Sequence, residues 1–177
     1  MKERTDAPAA TPKSNTLLTL TAQIVSRGSP MTRWLMRRAM SLERFLVRYF
    51  DLSLVTWAVT RSAKVRPVPT ALLTTTGRKS GRPSTMPMFY FPLGQAYYVI
   101  ASKGGAPDHP DWFKNLATNP DALLYAGRRE IAVRARIATG QERERLWKTA
   151  AAAYPPYDDY QRRAKDRQIP VVVLEPV

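Results

Sequence analysis

Residues 71–91 read ALLTTTGRKSGRPSTMPMFYF, and this stretch sets the class of the fold. Ala71 to Thr76 is an apolar, β-branched run, a second run follows from Thr85 to Phe91, and between them lies Gly77-Arg78-Lys79-Ser80-Gly81. Branched and aromatic side chains suit a pleated, half-buried surface, and bracketing glycines suit a turn. The stretch therefore predicts a β-hairpin with a cationic tip. Pro67 and Pro69, just upstream, end any helical run before it.

Downstream the same reading continues. Gly94 predicts a turn into a third strand from Gln95 to Ser102. Pro110 suits a first helical turn, so Asp111 to Ala117 is a short helix closed by Asn119-Pro120. Ala122 to Ala126 and Glu130 to Ala138 form a strand pair around Gly127-Arg128. In the second of these, Ile131, Val133, Ala135 and Ile137 alternate with Ala132, Arg134, Arg136 and Ala138, which predicts one buried face and one wet, basic face. Gln141 to Ala153 is helical, Tyr157 to Lys165 is a short helix after Pro155-Pro156, and Ile169 to Leu174 is a final buried strand. Successive hairpins with helices inserted late give an α+β fold, a mostly antiparallel small barrel rather than a doubly wound sheet.

At 177 residues the chain is sized for one domain with an appendage. A 44% hydrophobic and 24% charged composition excludes wholesale disorder. The chain has no cysteine, which removes disulfides, thiolate zinc sites, iron–sulfur clusters and cysteine nucleophiles. Its single histidine, His109, removes two-histidine metal centres, and no metal is expected. A Ser-His-Asp triad has no other base to use, and Asp108 and Asp111 are too close in sequence to orient it.

Twenty-eight Lys and Arg against 14 Asp and Glu leave a net charge of +14, which draws phosphates, anionic lipid or nucleic acid. Half of this excess sits in residues 27–66, with nine basic and two acidic side chains. No run of about 18 apolar residues exists to span a membrane. Thr16 to Val25 is too diluted by Thr16, Thr19, Thr21 and Gln23 for a signal core, so the expected location is cytoplasmic. Residues 1–15 read as a disordered lead-in, 16–65 as a basic helical extension and 66–177 as the barrel. From Met31 to Phe50, Met31, Trp34, Leu35, Leu42, Phe45, Leu46 and Tyr49 share one helical face, interrupted by Arg38, and Arg33, Arg37, Arg44 and Arg48 share the other. Leu52 to Arg61 extends this helix or forms a second. Such a helix either covers its own barrel or lies on an anionic membrane; the concentrated charge, with Trp34 and Tyr49, favours the membrane, on the inner face of the cell membrane.

The turn Gly77-Arg78-Lys79-Ser80-Gly81 has the makings of a phosphate cradle, with glycines for close approach and cations as donors. It is not a Walker A loop, because Arg78 stands where glycine must precede the lysine, and no helix pattern follows. Taken alone, a solvated hairpin turn accounts for it. Ser102-Lys103-Gly104-Gly105 is a second cationic glycine turn, and two in one barrel point to an anionic ligand. Trp112 and Asn115, three apart, share a helix face, and spacing alone makes the first core and the second solvated. Tyr154, Tyr157 and Tyr160 repeat every three residues around Pro155-Pro156; packing is the commoner role at that spacing, and phenols lining a pocket the functional one.

Together the runs LLTTTGRKSGRP (72–83), ASKGG (101–105), WFKNL (112–116), Asn119-Pro120, YPPYDDYQ (154–161) and IPVVV (169–173) resemble the deazaflavin-dependent nitroreductase family, over about Pro67 to Val177 and in order. The resemblance implies an FMN-binding split barrel-like oxidoreductase that uses coenzyme F420, an 8-hydroxy-5-deazaflavin, to pass a hydride to a small-molecule quinone, enone or nitroaromatic acceptor. It implies that Arg78, Lys79, Ser80 and Lys103 hold the cofactor's phosphate and acidic tail. It also implies that Trp112 and Asn115 line the cofactor channel, that backbone near Pro87 and Met88 faces the deazaflavin ring, and that Ser102, Tyr154, Tyr157 and Tyr160 border the substrate pocket. Many relatives have tyrosine where this chain has Phe89, so activity on nitroimidazole prodrugs does not carry over with the family. The competing readings are an FMN reductase on the same barrel, separable by cofactor absorbance, and a non-enzymatic basic module for nucleic acid or a membrane surface. On the nucleic-acid reading the tyrosines would be exposed, and on the family reading, which expects no nucleic acid, pocketed.

Overall fold

The computed structural model describes residues 30–50, 53–62 and 65–177. Residues 1–15 and the whole run from Thr16 to Ser29 therefore carry expectations that lie outside the described residues, as do the side chains of Met31, Arg33, Arg37 and Tyr49. Two helices lead, α1 (Pro30–Phe50) and α2 (Leu54–Ser62). The hairpin β1 (Thr70–Thr76) and β2 (Pro83–Phe89) follows, then β3 (Phe91–Leu93) and β4 (Ala96–Ile100). After a helical turn at Lys103–Gly105 come α3 (Asp111–Thr118), β5 (Asp121–Ala126), β6 (Arg129–Ile137), α4 (Gly140–Ala153), α5 (Pro156–Arg163) and β7 (Val171–Pro176).

All seven strands join one antiparallel sheet in the order β2-β1-β5-β6-β7-β4-β3. The sheet curls into a split barrel whose two edges, β2 and β3, are consecutive in the chain. The single strand expected from Thr85 to Phe91 is therefore divided at Tyr90. Its N–H bonds to the Pro69 carbonyl at 3.2 Å, and Phe91 pairs with Tyr98 of β4 rather than with β1. The tract crosses the split instead of running along one side of it.

Alternation along the strands builds two apolar layers. Ala71, Leu73, Val99, Leu124, Val133, Val172 and Leu174 fill the barrel interior with Trp112 and Leu116 of α3. On the outside, Tyr98, Ile100, Val171 and Val173 are covered by Leu146 and Ala150 of α4 and by the tyrosines of α5. Val171 to Leu174 are thus buried on both faces, which is why that strand reads as an unbroken apolar run. Each such side chain contributes about 1.5–3 kcal/mol on burial. The alternation expected in β6 fails at its end. Ile137 is half-exposed past the last interior layer, while Ala138, expected to be wet, is buried beneath α4. The arginines of its wet face are occupied, Arg134 by Asp121 at 2.8 Å and Arg136 by Glu142 and Glu175 at 2.7 Å each.

The helical extension is tied to the barrel by polar contacts at its C-terminal half. Buried Glu43 accepts hydrogen bonds from the Ser53 hydroxyl and, at 3.1 Å, from Leu54 N–H. Ser53 itself caps α2 by accepting Thr56 N–H at 2.9 Å. Thr56 meets Thr70 of β1 at 2.6 Å, and the Tyr125 hydroxyl of β5 donates to the Arg48 carbonyl at 2.6 Å. The face read as apolar in the sequence is not the one turned inward. Val47 and Glu43 are buried, whereas Trp34, Leu35, Leu42 and Phe45 of α1, with Leu54 and Trp57 of α2, are each about half-exposed.

Candidate active site

The tip of the β1–β2 hairpin is a compact turn in which Gly77 N–H bonds to Arg82 O at 2.9 Å and Gly81 N–H to Gly77 O at 2.7 Å. The Ser80 hydroxyl accepts Arg82 N–H at 3.3 Å, so it helps close the turn. Asn115 of α3 supports the tip from beneath. Its side-chain carbonyl accepts Arg78 N–H at 3.2 Å and Arg78 Nη1–H at 3.1 Å, and its amide donates to Thr75 Oγ1 at 3.0 Å. Asn115 is only 4% exposed, so the solvated role that spacing alone assigned to it is corrected. A buried amide has to satisfy its polar atoms, and here it does so on the turn. Trp112, one turn earlier, is buried in the barrel interior against Phe113.

The second cationic turn lies at the other flank of the start of α3. Arg78 Nη2 pairs with Asp111 at 2.9 Å, and Lys103 Nζ pairs with Asp108 at 2.6 Å, with Lys114 on the same carboxylate at 3.3 Å. The Lys103 ammonium, aided by that of Lys114, holds the Asp108 carboxyl down to about 2. Residues 108–115 thereby bring the two turns into one neighbourhood. Lys79 is exposed and, among the described residues, makes no ion pair. Half-buried Ser102 gives its carbonyl to Arg167 at 2.9 Å. Asp108, Asp111, Lys114 and Arg167 are the members that sequence reasoning missed. Asp111, Lys114 and Asn115 stand at helical spacings of three and four, which was a readable signal; Arg167 left none.

Tyr154, Tyr157 and Tyr160 form one cluster, with ring centroids 5.0–6.2 Å apart and exposures of 2–4%. The Tyr154 and Tyr160 hydroxyls meet at 3.1 Å. Burial pushes all three phenols above their ordinary range, so they stay protonated as donors. Phe89 lies against Tyr154 with centroids 5.1 Å apart. Strand β2, an edge of the sheet, thus runs from the cationic tip to the phenols, carrying half-buried Pro87 and Met88 along the way. Seven residues of strand span about 20 Å.

Cations at one end, a free strand edge between and phenols at the other suit an elongated planar ligand with an acidic tail. The sequence profile of the F420H(2)-dependent quinone reductases matches residues 48–176. The chain belongs to this family. The family match begins in the last turn of α1, so it takes in α2 as well as the barrel. F420H(2)-dependent quinone reductase Rv1261c of Mycobacterium tuberculosis (strain ATCC 25618 / H37Rv) is 39% identical over 109 residues, 60% of this chain and 72% of that protein. A solved F420-H2 dependent reductase, FDR-A, is 42% identical with a TM-score of 0.56, covering 60% of this chain and 94% of that one. A second solved structure, described as a domain-swapped dimer, is 36% identical with a TM-score of 0.56 and covers 83% of this chain and all of that one. This member of the family is accordingly an oxidoreductase of the split-barrel type whose cofactor is coenzyme F420. The donor set described above fits that group.

Proposed function

We propose that the protein reduces a quinone, with Lys79, Arg78 and Lys103 binding the anionic tail of F420 and Tyr154, Tyr157 and Tyr160 bordering the acceptor. The observation that carries this reading is the gathering of both cationic turns about α3 while β2 leads from one of them to the tyrosine cluster. The reduced deazaflavin, when bound, supplies a hydride to the acceptor. The chain's own work is to bind and orient. Ser80 and the Gly77 turn fix the tip, and the edge of β2 at Pro87 and Met88 offers backbone groups to the ring. Asn115 walls the channel from within by holding that tip in place, Trp112 lines it one turn earlier on α3, and Ser102 stands beside the acceptor. The phenols, kept protonated, donate hydrogen bonds to a quinone oxygen, and water completes the quinol with a proton. Phe89 leaves this wall one hydroxyl short, which weighs against a nitroaromatic that needs a further donor.

The helical extension adds a location to this reading. The half-exposed Trp34, Leu35, Leu42, Phe45, Leu54 and Trp57 form an apolar surface, and the Arg38 and Arg61 guanidiniums lie 4.8 and 5.6 Å from the Trp34 and Trp57 rings. Tryptophans with stacked arginines suit the boundary of an anionic membrane, where a lipid-soluble quinone is dissolved. No helix among the described residues is long and apolar enough to cross a membrane. Steady-state reduction of a quinone, an enone and a nitroaromatic with reduced F420 tests the acceptor. The quinone should have the highest kcat/KM, and a nitroaromatic preference would refute the assignment. Flotation with anionic and neutral vesicles tests the location. Leu42→Asp should reduce binding to anionic vesicles, and binding indifferent to lipid charge would exclude it.

A further inference from the structure

Arg167, in the connection from α5 to β7, belongs to no motif, yet it is the most heavily engaged side chain near the site. Its Nε–H donates to Ala106 O at 2.9 Å, Nη2–H to Ser102 O at 2.9 Å and Nη1–H to Ala101 O at 3.3 Å, while Nη1 lies 3.3 Å from His109 Nδ1. One planar fork thus spans the loop from Ala101 to His109. That loop contains three successive residues in the left-handed region, Lys103 at φ 49°, Gly104 at 63° and Gly105 at 80°. A lysine is unfavourable there and persists only where its surroundings hold it. The far side of the loop is held by close packing, since a Cβ on Gly105 would lie 2.6 Å from Tyr160 O. Arg167 closes the near side.

We propose that Arg167 is a positioning residue for the cofactor: its fork fixes the strained turn so that Lys103 is presented to the anionic tail. The proposal rests on the reading of Lys103 as a tail-binding residue. Arg167 acts through the loop backbone, whereas Asp108 acts on the Lys103 ammonium itself. Holding a cation in place before binding lowers the ordering cost that binding would otherwise carry.

The test is equilibrium titration of the full chain with F420 and with the same deazaflavin lacking phosphate and glutamates, in a double-mutant cycle with Lys103→Ala. Arg167→Gln should weaken F420 about fivefold and no more than Lys103→Ala does, leave the tail-less ligand unchanged, and have no added effect once Lys103 is alanine. Equal weakening of both ligands, or a full added effect in the Lys103→Ala background, would show general support of the fold and overturn the proposal. If Lys103→Ala itself leaves F420 affinity unchanged, the tail-binding reading fails first, and the proposal with it. Circular dichroism reports whether Arg167→Gln folds. Should it not, Arg167→Lys, which keeps the charge and loses the fork, is carried through the same cycle with about threefold weakening expected, and wild-type F420 affinity in that variant would overturn the proposal.

Discussion

The two cationic glycine turns look alike in sequence and are supported in opposite ways. At the hairpin tip a neutral amide, Asn115, holds the backbone from within the barrel, and Lys79 stands clear of it. At Ser102–Gly105 a guanidinium, Arg167, holds the backbone from outside, and the lysine is already paired with Asp108. A cation poised on a neutral support is ready for an anion at once, whereas one that must leave a carboxylate exchanges partners when it binds. The difference turns two similar motifs into a primary contact and a tunable one.

Glycine substitutions should separate the turns most strongly. Gly105 and Gly81 both have positive φ, 80° and 65°, but an added Cβ at Gly105 meets the Tyr160 backbone, while at Gly81 nothing lies within 4 Å. Gly105→Ala should therefore lower stability by about 3 kcal/mol or more, from strain and overpacking together. Gly81→Ala should cost about 1 kcal/mol, from the backbone conformation alone. Denaturant unfolding of both variants measures this, and similar losses at the two sites would break the contrast.

Removing the buried amide comes next. Asn115→Leu leaves Arg78 N–H without its acceptor and Thr75 without its donor, which should lower stability by about 1–3 kcal/mol. F420 affinity should fall in parallel because the tip is no longer fixed. A stable variant with unchanged affinity would show that the tip holds itself.

The charges themselves should rank in the order the comparison gives. Lys79→Ala should weaken F420 about tenfold, equivalent to about 1.4 kcal/mol, and flatten the salt dependence of binding. Lys103→Ala should have a smaller effect, because its ammonium gives up Asp108 to bind. Asp108→Asn should tighten F420 a few-fold by releasing Lys103 and Lys114. Calorimetric titration at two salt concentrations decides, and weaker binding by Asp108→Asn would mean that the carboxylate orients the lysines rather than competing for them.

How far the sequence carried the reading follows the same division. The β1–β2 hairpin, the alternation in the strands and the doubly buried Val171–Leu174 were legible because their signals are local and periodic. The break at Tyr90 was not, because it depends on β2 and β3 ending at opposite edges of a sheet whose closure no local pattern encodes. The apolar stripe of α1 was legible as a stripe, but periodicity does not say which face docks. Buried Glu43 did that, by capping a neighbouring helix. The cationic turns were visible as composition, and the resemblance joined them to a cofactor. Their supports were half visible: Asn115 lies on a helix with readable spacing, whereas Arg167 reaches back more than sixty residues to the carbonyls it holds.

The tyrosine hydroxyls offer a smaller effect and a control, since those of Tyr154 and Tyr160 turn to each other rather than to the cations. Tyr154→Phe removes one of two hydroxyls that meet in a buried place, and should lower stability by about 1 kcal/mol. It should raise the KM for a quinone while leaving F420 affinity near wild type. An F420 affinity loss as large as that of Lys79→Ala would move the cluster to the cofactor side of the site.

The smallest effect lies with His109, which only the second turn has beside it. Its imidazole is held below the ordinary 6.5, first by burial and then by the positive charges of Arg167 and Lys114, with Asp108 opposing them. Well above pH 6.5 the ring is neutral both folded and unfolded, and no stability depends on it. As pH falls below 6.5 the unfolded chain takes the proton first, so the fold loses stability until the folded value is passed, and below that the loss stays constant. Acid should therefore loosen the loop of Lys103 while the tip of Lys79, which has no histidine beside it, keeps its structure. Because the chain has one histidine, its NMR titration is a single curve. Arg167→Gln should move that curve up towards 6.5, and Asp108→Asn should move it further down. A wild-type value at or above 6.5 would mean that Asp108 outweighs burial and the charges of Arg167 and Lys114 at the ring, and would leave the two turns alike in their response to acid.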